Sequence, residues 1–235
     1  MRLLRTVAAL LLISCTRSQT QVVDLATARQ NMIKEQLSAR GIHDQRVLSA
    51  MGKVAREEFV PSDERELAYS DQALPIGHGQ TISQPFVVAL MTEQLQLKPT
   101  DRVLEVGTGS GYQAAILGEL VADVYSIEIV EPLAKNADAT LQRLGYKNVH
   151  IKTGDGYKGW PEAAPFDAII VTCAPDHVPD PLREQLKENG RMVIPVGGPL
   201  EQELYVLEKQ QGQLRHHAVE PVRFVPMTGE AEKKK

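Results

Sequence analysis

The stretch Val103-Leu104-Glu105-Val106-Gly107-Thr108-Gly109-Ser110-Gly111-Tyr112 decides the fold. Val103 to Val106 reads as a short apolar strand, Gly107 to Gly111 as a glycine-rich turn, and Tyr112 to about Leu120 as a helix. Glycine lets the chain bend sharply and lets a ligand come close to the backbone. The helix start beyond it presents free N–H groups and a partial positive charge. A turn of this kind binds a nucleotide-like cofactor or its carboxylate. Glu128 lies at the end of the next expected strand, Val124 to Ile129. There a carboxylate can accept the hydrogens of both ribose hydroxyls. A tight turn with a solvated acid is the plainer alternative, and the strand–turn–helix–strand context speaks against it.

The same rhythm continues downstream. Pro132 to Leu144 is expected as a helix that stops at Gly145, and His150 to Lys152 as a strand. Ala168-Ile169-Ile170-Val171 is a continuous apolar run, as in a central strand buried on both faces. Asp180 to Leu186 reads as a helix, and Met192 to Val196 and Glu203 to Leu207 as strands. Val219 to Val225 is a last strand, at an edge because of Pro221. Upstream, helices are expected over Ala26 to Gly41, about Asp44 to Met51, and Phe86 to Leu95. Phe59-Val60-Pro61 begins an irregular stretch, and Leu74 to Pro85 (LPIGHGQTISQP) has loop chemistry. The pattern predicts an α/β fold: a mainly parallel central sheet of about seven strands with helices on both faces, preceded by N-terminal helices.

Composition excludes several classes. The chain has 235 residues, within reach of one α/β domain, and its 43% hydrophobic content argues against global disorder. Lys and Arg number 26 against 30 Asp and Glu, so nothing basic recommends nucleic acid as a partner. Cys15 and Cys173 cannot make a disulfide framework. The histidines show no zinc spacing, so no metal is expected. Arg2 and Arg5 flank the apolar run Val7 to Ile13, which ends at Ser14-Cys15. This reads as a secretory signal, and Leu12-Ile13-Ser14-Cys15 also resembles a lipobox that would anchor the protein through a lipid on Cys15. An apolar helix, or an upstream extension with Met32 as the start, is the alternative. The expected organisation is a leader over 1–15, one domain over 16–229, and a disordered charged tail over 230–235.

The cofactor is open on the glycine turn alone. Gly109-Ser110-Gly111-Tyr112-Gln113-Ala114 fits G-x-G-x-x-A, a dinucleotide fingerprint, and would allow a nicotinamide-dependent oxidoreductase. Glu105 to Gly111, read as E-x-G-x-G-x-G, resembles motif I of the class I methyltransferases instead. Gly154-Asp155-Gly156 follows the third strand, where that superfamily places a residue near the adenine. Val171-Thr172-Cys173-Ala174-Pro175 follows the fourth strand, at the cofactor and substrate edge. S-adenosylmethionine, leaving as S-adenosylhomocysteine, is thereby favoured.

A second signal is more specific. Ala68 to Pro85, which carries GQTISQP, together with VLEVGTGSGYQAA, GDGYKGWPEAAPFDAIIVTCAP and PVRFVPM, closely resembles the protein-L-isoaspartate O-methyltransferases over about residues 29 to 228. Ala55 stands where that family usually has proline, Cys173 replaces a common alanine, and the leader is unusual for a family that is mostly cytoplasmic.

The resemblance implies a Rossmann-like fold and a repair activity. The methyl acceptor would be the free α-carboxylate of an L-isoaspartyl residue in an age-damaged protein or peptide. The ester would close to a succinimide and return some normal aspartate. Ser83 falls on the family's active-site serine; a turn or helix-cap serine is the alternative. Thr81, Ile82, Glu105, Gly107, Thr108, Gly109 and Gly111 are implied at the cofactor, with Tyr112, Gln113, Glu128, Asp155, Gly156 and Thr172. Gln84, Pro85, Val222, Arg223, Phe224 and Val225 are implied against the substrate, the last four as a strand meeting its backbone. An ordinary edge strand is the alternative for that segment. His78 reads as a loop histidine, Trp160 as packing, and Cys173 as a small buried residue. A monomer in the cytoplasm is implied, with export or anchoring through residues 1–15 as the alternative. Three other functions stay open: a methyltransferase for a different carboxylate or small-molecule acceptor, the oxidoreductase, and a non-catalytic module.

Overall fold

The computed structural model describes residues 24–234; the leader and Cys15 lie outside them. Its centre is a sheet in the order β5-β4-β3-β6-β7-β8-β9. The strands are β3 (Arg102–Val106), β4 (Asp123–Glu128), β5 (Val149–Thr153), β6 (Phe166–Val171), β7 (Leu186–Gly197), β8 (Gln202–Gln210) and β9 (Gln213–Pro221). β3 to β7 all run parallel, while β8 and β9 are antiparallel to their neighbours. The expected mainly parallel sheet of seven strands is present. Helices α4 (Tyr112–Gly118), α5 (Glu131–Arg143) and α6 (Asp180–Gln185) provide crossovers.

Alternation along the strands builds a core on each face of the sheet. Val103, Ala168, Ile170 and Val193 pack with the N-terminal helices and α4. Leu104, Ile169, Met192 and Ile194 pack on the opposite face with Tyr157, Phe166 and Leu182. From β3 the chain moves outward through β4 to β5, then returns to lay β6 on the other side of β3. The crevice between the carboxyl ends of β3 and β6 is therefore the topological switch point, the usual ligand position in such sheets.

Four expectations need correction. Ala26 to Gly41 is not one α-helix: α1 (Leu25–Asn31) passes into a π-helical turn, Met32–Leu37, and a 3-10 turn, Ser38–Arg40. Gly41, at φ 98°, ends it as expected. Leu74 to Pro85 is not all loop, since β1 (Leu74–Gly77) and β2 (Gln80–Ile82) form a hairpin. His78 and Gly79 at its tip have φ of 53° and 70°, the left-handed pair of a tight hairpin turn. The last strand is β9, and it stops at Pro221. Residues 222–225 leave the sheet because their backbone groups bond to Gln202 and Ala174 instead. Part of the expected disordered tail is also ordered: a 3-10 turn, Gly229–Lys234, packs back on the domain, and the Glu230 N–H donates to Asp155 at 2.9 Å.

Two helices complete the site's frame. Asp44 caps α2 (Gln45–Lys53) by accepting from the Arg46 N–H at 2.8 Å. α3 (Pro85–Gln94) starts directly after Ser83-Gln84, with Pro85 in its first turn.

Candidate functional site

The glycine turn fills the switch point. Gly107, Gly109 and Gly111 have φ of 100°, 53° and 89°, conformations that glycine adopts without strain. A Cβ on Gly107 would collide with the Thr172 hydroxyl of the neighbouring strand end. Thr172 is locked there: its N–H donates to the Val106 carbonyl at 2.9 Å and its hydroxyl to the Gly107 carbonyl at 2.7 Å. A Cβ on Gly111 would lie 3.2 Å from Ala137 of α5, so that glycine serves close packing and does not face the cavity. Glu128 holds the turn from the other side. Its Oε2 accepts from the Gly109 N–H at 2.8 Å and its Oε1 from the Val130 N–H at 2.9 Å.

Around this turn lies a cleft of about 900 Å³, counting its open mouth. It brings together Thr81, Ile82, Ser83, Gly107, Thr108, Gly109, Tyr112, Gln113, Glu128, Gly156 and Thr172, all expected at the cofactor or catalytic positions. Its apolar lining includes Val88 and Met91 of α3, Ile127, and the pair Ile129-Val130 directly after Glu128. Cys173, Met227 and Thr228 also border it. Of these, the sequence placed only the Cys173 segment at the cofactor edge; the signal for Ile129 and Val130 is an apolar pair right after the acid at a strand end. The Cys173 thiol is pushed up to about 12, first by burial and then by the Glu128 and Asp155 carboxylates. It is therefore protonated at neutral pH and no nucleophile.

Besides Gly111, two further expected cofactor residues, Glu105 and Asp155, do not line the cleft. Glu105 is fully buried beneath the turn. The Ser126 hydroxyl donates to its Oε2 and is itself 2.6 Å from the Thr108 hydroxyl, while Oε1 has no partner among the described residues. Burial raises the Glu105 carboxyl to about 8 against the opposing Ser126 hydrogen bond, and the Glu128 charge adds to the rise. Asp155 accepts from the Tyr157 N–H at 3.0 Å and from Glu230, so it ties the adjacent turn to the C-terminal segment.

A second hollow adjoins the first. It is lined by Arg40, Ser83, Gln84, Phe86, Glu220 and residues 222–225, among others. The expected substrate residues Gln84, Val222, Arg223, Phe224 and Val225 meet here. Pro85 does not; it is buried at the start of α3. The wall over 222–225 is clasped from behind. Gln202 accepts from the Phe224 N–H at 2.6 Å and donates to its carbonyl at 3.1 Å. The Ala174 N–H donates to Val225 and its carbonyl accepts from Met227, both at 2.8 Å. Opposite, the Arg40 guanidinium lies 3.6 Å from the Phe86 ring centroid and pairs with Asp71 at 2.9 Å. Gln84 donates to the other Asp71 oxygen at 2.7 Å. Thr81, Ser83, Thr172 and Val225 border both hollows, so Ser83 stands on the threshold between them.

Comparison with known proteins gives the family and the fold. The family model for protein-L-isoaspartate(D-aspartate) O-methyltransferase (PCMT) matches residues 27–232. A protein-L-isoaspartate O-methyltransferase of Opitutus terrae is 55% identical over 231 residues, covering 98% of this chain and 99% of the relative. One from Gloeobacter violaceus is 54% identical over 85% of this chain and 98% of its own. A solved protein-L-isoaspartate O-methyltransferase superposes with a TM-score of 0.80 at 33% identity, over 86% of this chain and 67% of that one. A Plasmodium falciparum beta-aspartate methyltransferase (PCMT), solved in complex with S-adenosyl-L-homocysteine, gives 0.76 at 28% identity, over 85% of this chain and 98% of its own. The chain belongs to the protein-L-isoaspartate(D-aspartate) O-methyltransferase family.

Proposed function

We infer that this chain is a protein-repair methyltransferase that methylates the free α-carboxylate of L-isoaspartyl residues in damaged proteins and peptides. The observation that carries the reading is Ser83 on the threshold between the cleft around the glycine turn and the hollow walled by residues 222–225.

The residues of the first cleft fit S-adenosylmethionine. The two Glu128 oxygens each hold one backbone N–H and keep further lone pairs for ribose hydroxyls. The Ile127, Ile129 and Val130 side chains offer an apolar face for a base. The positive-φ glycines let a ligand approach the turn without a Cβ in the way. When bound there, the cofactor supplies an electrophilic methyl group on a sulfonium. Among the described residues no cluster could hold a metal ion.

The chain's own part is binding and aim. An α-carboxylate is ionised at neutral pH, so the site needs no strong base. The Ser83 hydroxyl donates to one carboxylate oxygen and leaves the other free to attack. Held in line, such an oxygen gains up to about 7–11 kcal/mol from proximity and orientation. Residues 222–225 offer main-chain groups to the substrate backbone, which places little demand on neighbouring side chains. The acceptor need not resemble any one sequence, as repair of many proteins requires.

The reading carries a single catalytic domain over 16–229 and a monomer, with no role for nucleic acid. A cytoplasmic setting goes with it, and export or a lipid on Cys15 is the alternative; mass analysis of the native N-terminus decides between them. Among the described residues no helix is long and apolar enough to cross a membrane. The functional test offers labelled S-adenosylmethionine and two peptides that differ only in L-isoaspartate or L-aspartate at one position. Label on the isoaspartyl peptide alone, released as methanol by mild base, is expected. Label on neither peptide, with S-adenosylhomocysteine still binding, would mean a different acceptor. Ser83→Ala should lower turnover by about ten- to a hundredfold and largely spare S-adenosylhomocysteine binding.

A further inference from the structure

Arg56 opens the 3-10 turn Arg56–Glu58, and its side chain is wholly buried. Its Nε donates to the Ala68 carbonyl and its Nη2 to the Ser83 carbonyl, each at 2.7 Å. The guanidinium carbon lies 4.9 Å from the centroid of the Tyr112 ring. The remaining nitrogen, Nη1, has no hydrogen-bond partner among the described residues. The adjacent acids are engaged elsewhere. Glu57 is taken by Arg29 and Tyr69, and Glu58 by Arg65 and Arg143. Arg56 is thus a buried cation held by carbonyl dipoles and the face of a ring. Burial lowers its pKa to about 10, which leaves it charged at neutral pH.

Charge buried without an opposite charge is costly, and an apolar side chain of similar volume would fill the space at less expense. What an apolar side chain lacks is a rigid planar fork with donors in fixed directions. Here the fork reaches three separate segments: Ala68 ahead of the 69–73 loop, Ser83, and Tyr112 at the first position of α4. The last two lie on the acceptor side and the cofactor side of the site. In-line transfer depends on their separation, and a misplacement of about 1 Å can cost a hundredfold in rate.

We propose that Arg56 is a positioning residue for methyl transfer, which fixes the Ser83 segment against the cofactor turn by gripping the Ser83 carbonyl while lying on the Tyr112 ring. The proposal rests on the reading of Ser83 as the residue that orients the acceptor carboxylate. Removal of the fork shifts the serine without emptying the cofactor cleft. The loss therefore falls on kcat more than on cofactor affinity.

The test is a double-mutant cycle in the full chain. It compares Arg56→Lys, Ser83→Ala and the pair, with an isoaspartyl peptide as acceptor. Lysine keeps the charge and loses the fork. Arg56→Lys is expected to lower kcat about tenfold, with S-adenosylhomocysteine affinity and melting temperature near wild type. Once Ser83 is already alanine, Arg56→Lys should cost less than about twofold more, because coupled residues are not additive. Full multiplication of the two losses would overturn the proposal, since the arginine would then act independently of the serine. An unchanged kcat in Arg56→Lys would overturn it as well. If Ser83→Ala alone leaves turnover intact, it is the reading of the serine that falls, and the proposal with it. Should Arg56→Lys fail to bind S-adenosylhomocysteine, Arg56→Gln is put through the same cycle. Failure of both to bind would make Arg56 a folding residue and also overturn the proposal.

Discussion

Glu105 shows how a residue can belong to a motif without lining the cleft beside it. Its carboxyl sits under the glycine turn and supports Thr108 through Ser126. Because burial raises its pKa from 4.5 to about 8, the folded protein keeps this proton over a range in which the unfolded chain has lost it. The native state then binds more protons than the unfolded state, so this group's contribution to stability falls as pH rises from about 4.5 to about 8. Glu105→Gln, which cannot ionise, should escape the decline. Urea unfolding of both proteins at pH 5 and pH 8 checks this. The variant should gain on the wild type at the higher pH, and an equal gap at both would show that Glu105 is not protonated in the fold. The acid itself was plain in the sequence. Its burial was not, because a motif fixes spacing along the chain and not depth beneath it. Arg56 was hidden for the same reason: in Arg56-Glu57-Glu58 it reads as one more solvated charge.

At the scale of elements, the groove wall depends on one buried glutamine. Gln202 starts β8 and grips both backbone groups of Phe224. Gln202→Ala leaves the Phe224 N–H and carbonyl without that partner and frees the wall to drift. KM for an isoaspartyl peptide should rise about three- to tenfold, as expected for loss of one or two net hydrogen bonds, while S-adenosylhomocysteine affinity stays within twofold of wild type. Steady-state kinetics with calorimetry would show it, and an unchanged KM would remove the wall from substrate binding. The elements legible in advance were those with a strong apolar rhythm, such as β3, β6 and α5. β9 was displaced because most of Gln213–Pro221 is exposed and gives no alternation to read. The hairpin β1–β2 looked like loop because its turn is built from glycines and a left-handed histidine. The single long helix expected before Gly41 missed its π-helical and 3-10 turns, since a change in hydrogen-bond spacing leaves little trace in apolar periodicity.

For the whole molecule, the sheet is both core and scaffold. Ile169, fully buried in β6, belongs to the core on the face away from the N-terminal helices. Ile169→Ala should lower unfolding free energy by about 2–5 kcal/mol. Denaturant titration measures this, and a loss below about 1 kcal/mol would mean that the core there collapses around the gap. The α/β architecture was readable because strands and helices alternate along the chain and right-handed crossovers leave few topologies; the strand order, and with it the switch point, came only with the fold. The distant pairings that finish the site, Ala174 with Val225 and Met227 and Asp155 with Glu230, join residues far apart in the chain and carry no local mark.

The threshold formed by Thr81, Ser83, Thr172 and Val225 has a kinetic consequence. It joins two hollows, and its four residues include no thiol, amine or carboxylate that could carry the methyl group between them. Donor and acceptor must then occupy the enzyme in the same moment, and no modified form of the protein waits between two half-reactions. Initial rates measured while both concentrations are varied should give double-reciprocal lines that intersect; parallel lines would reveal a covalent relay.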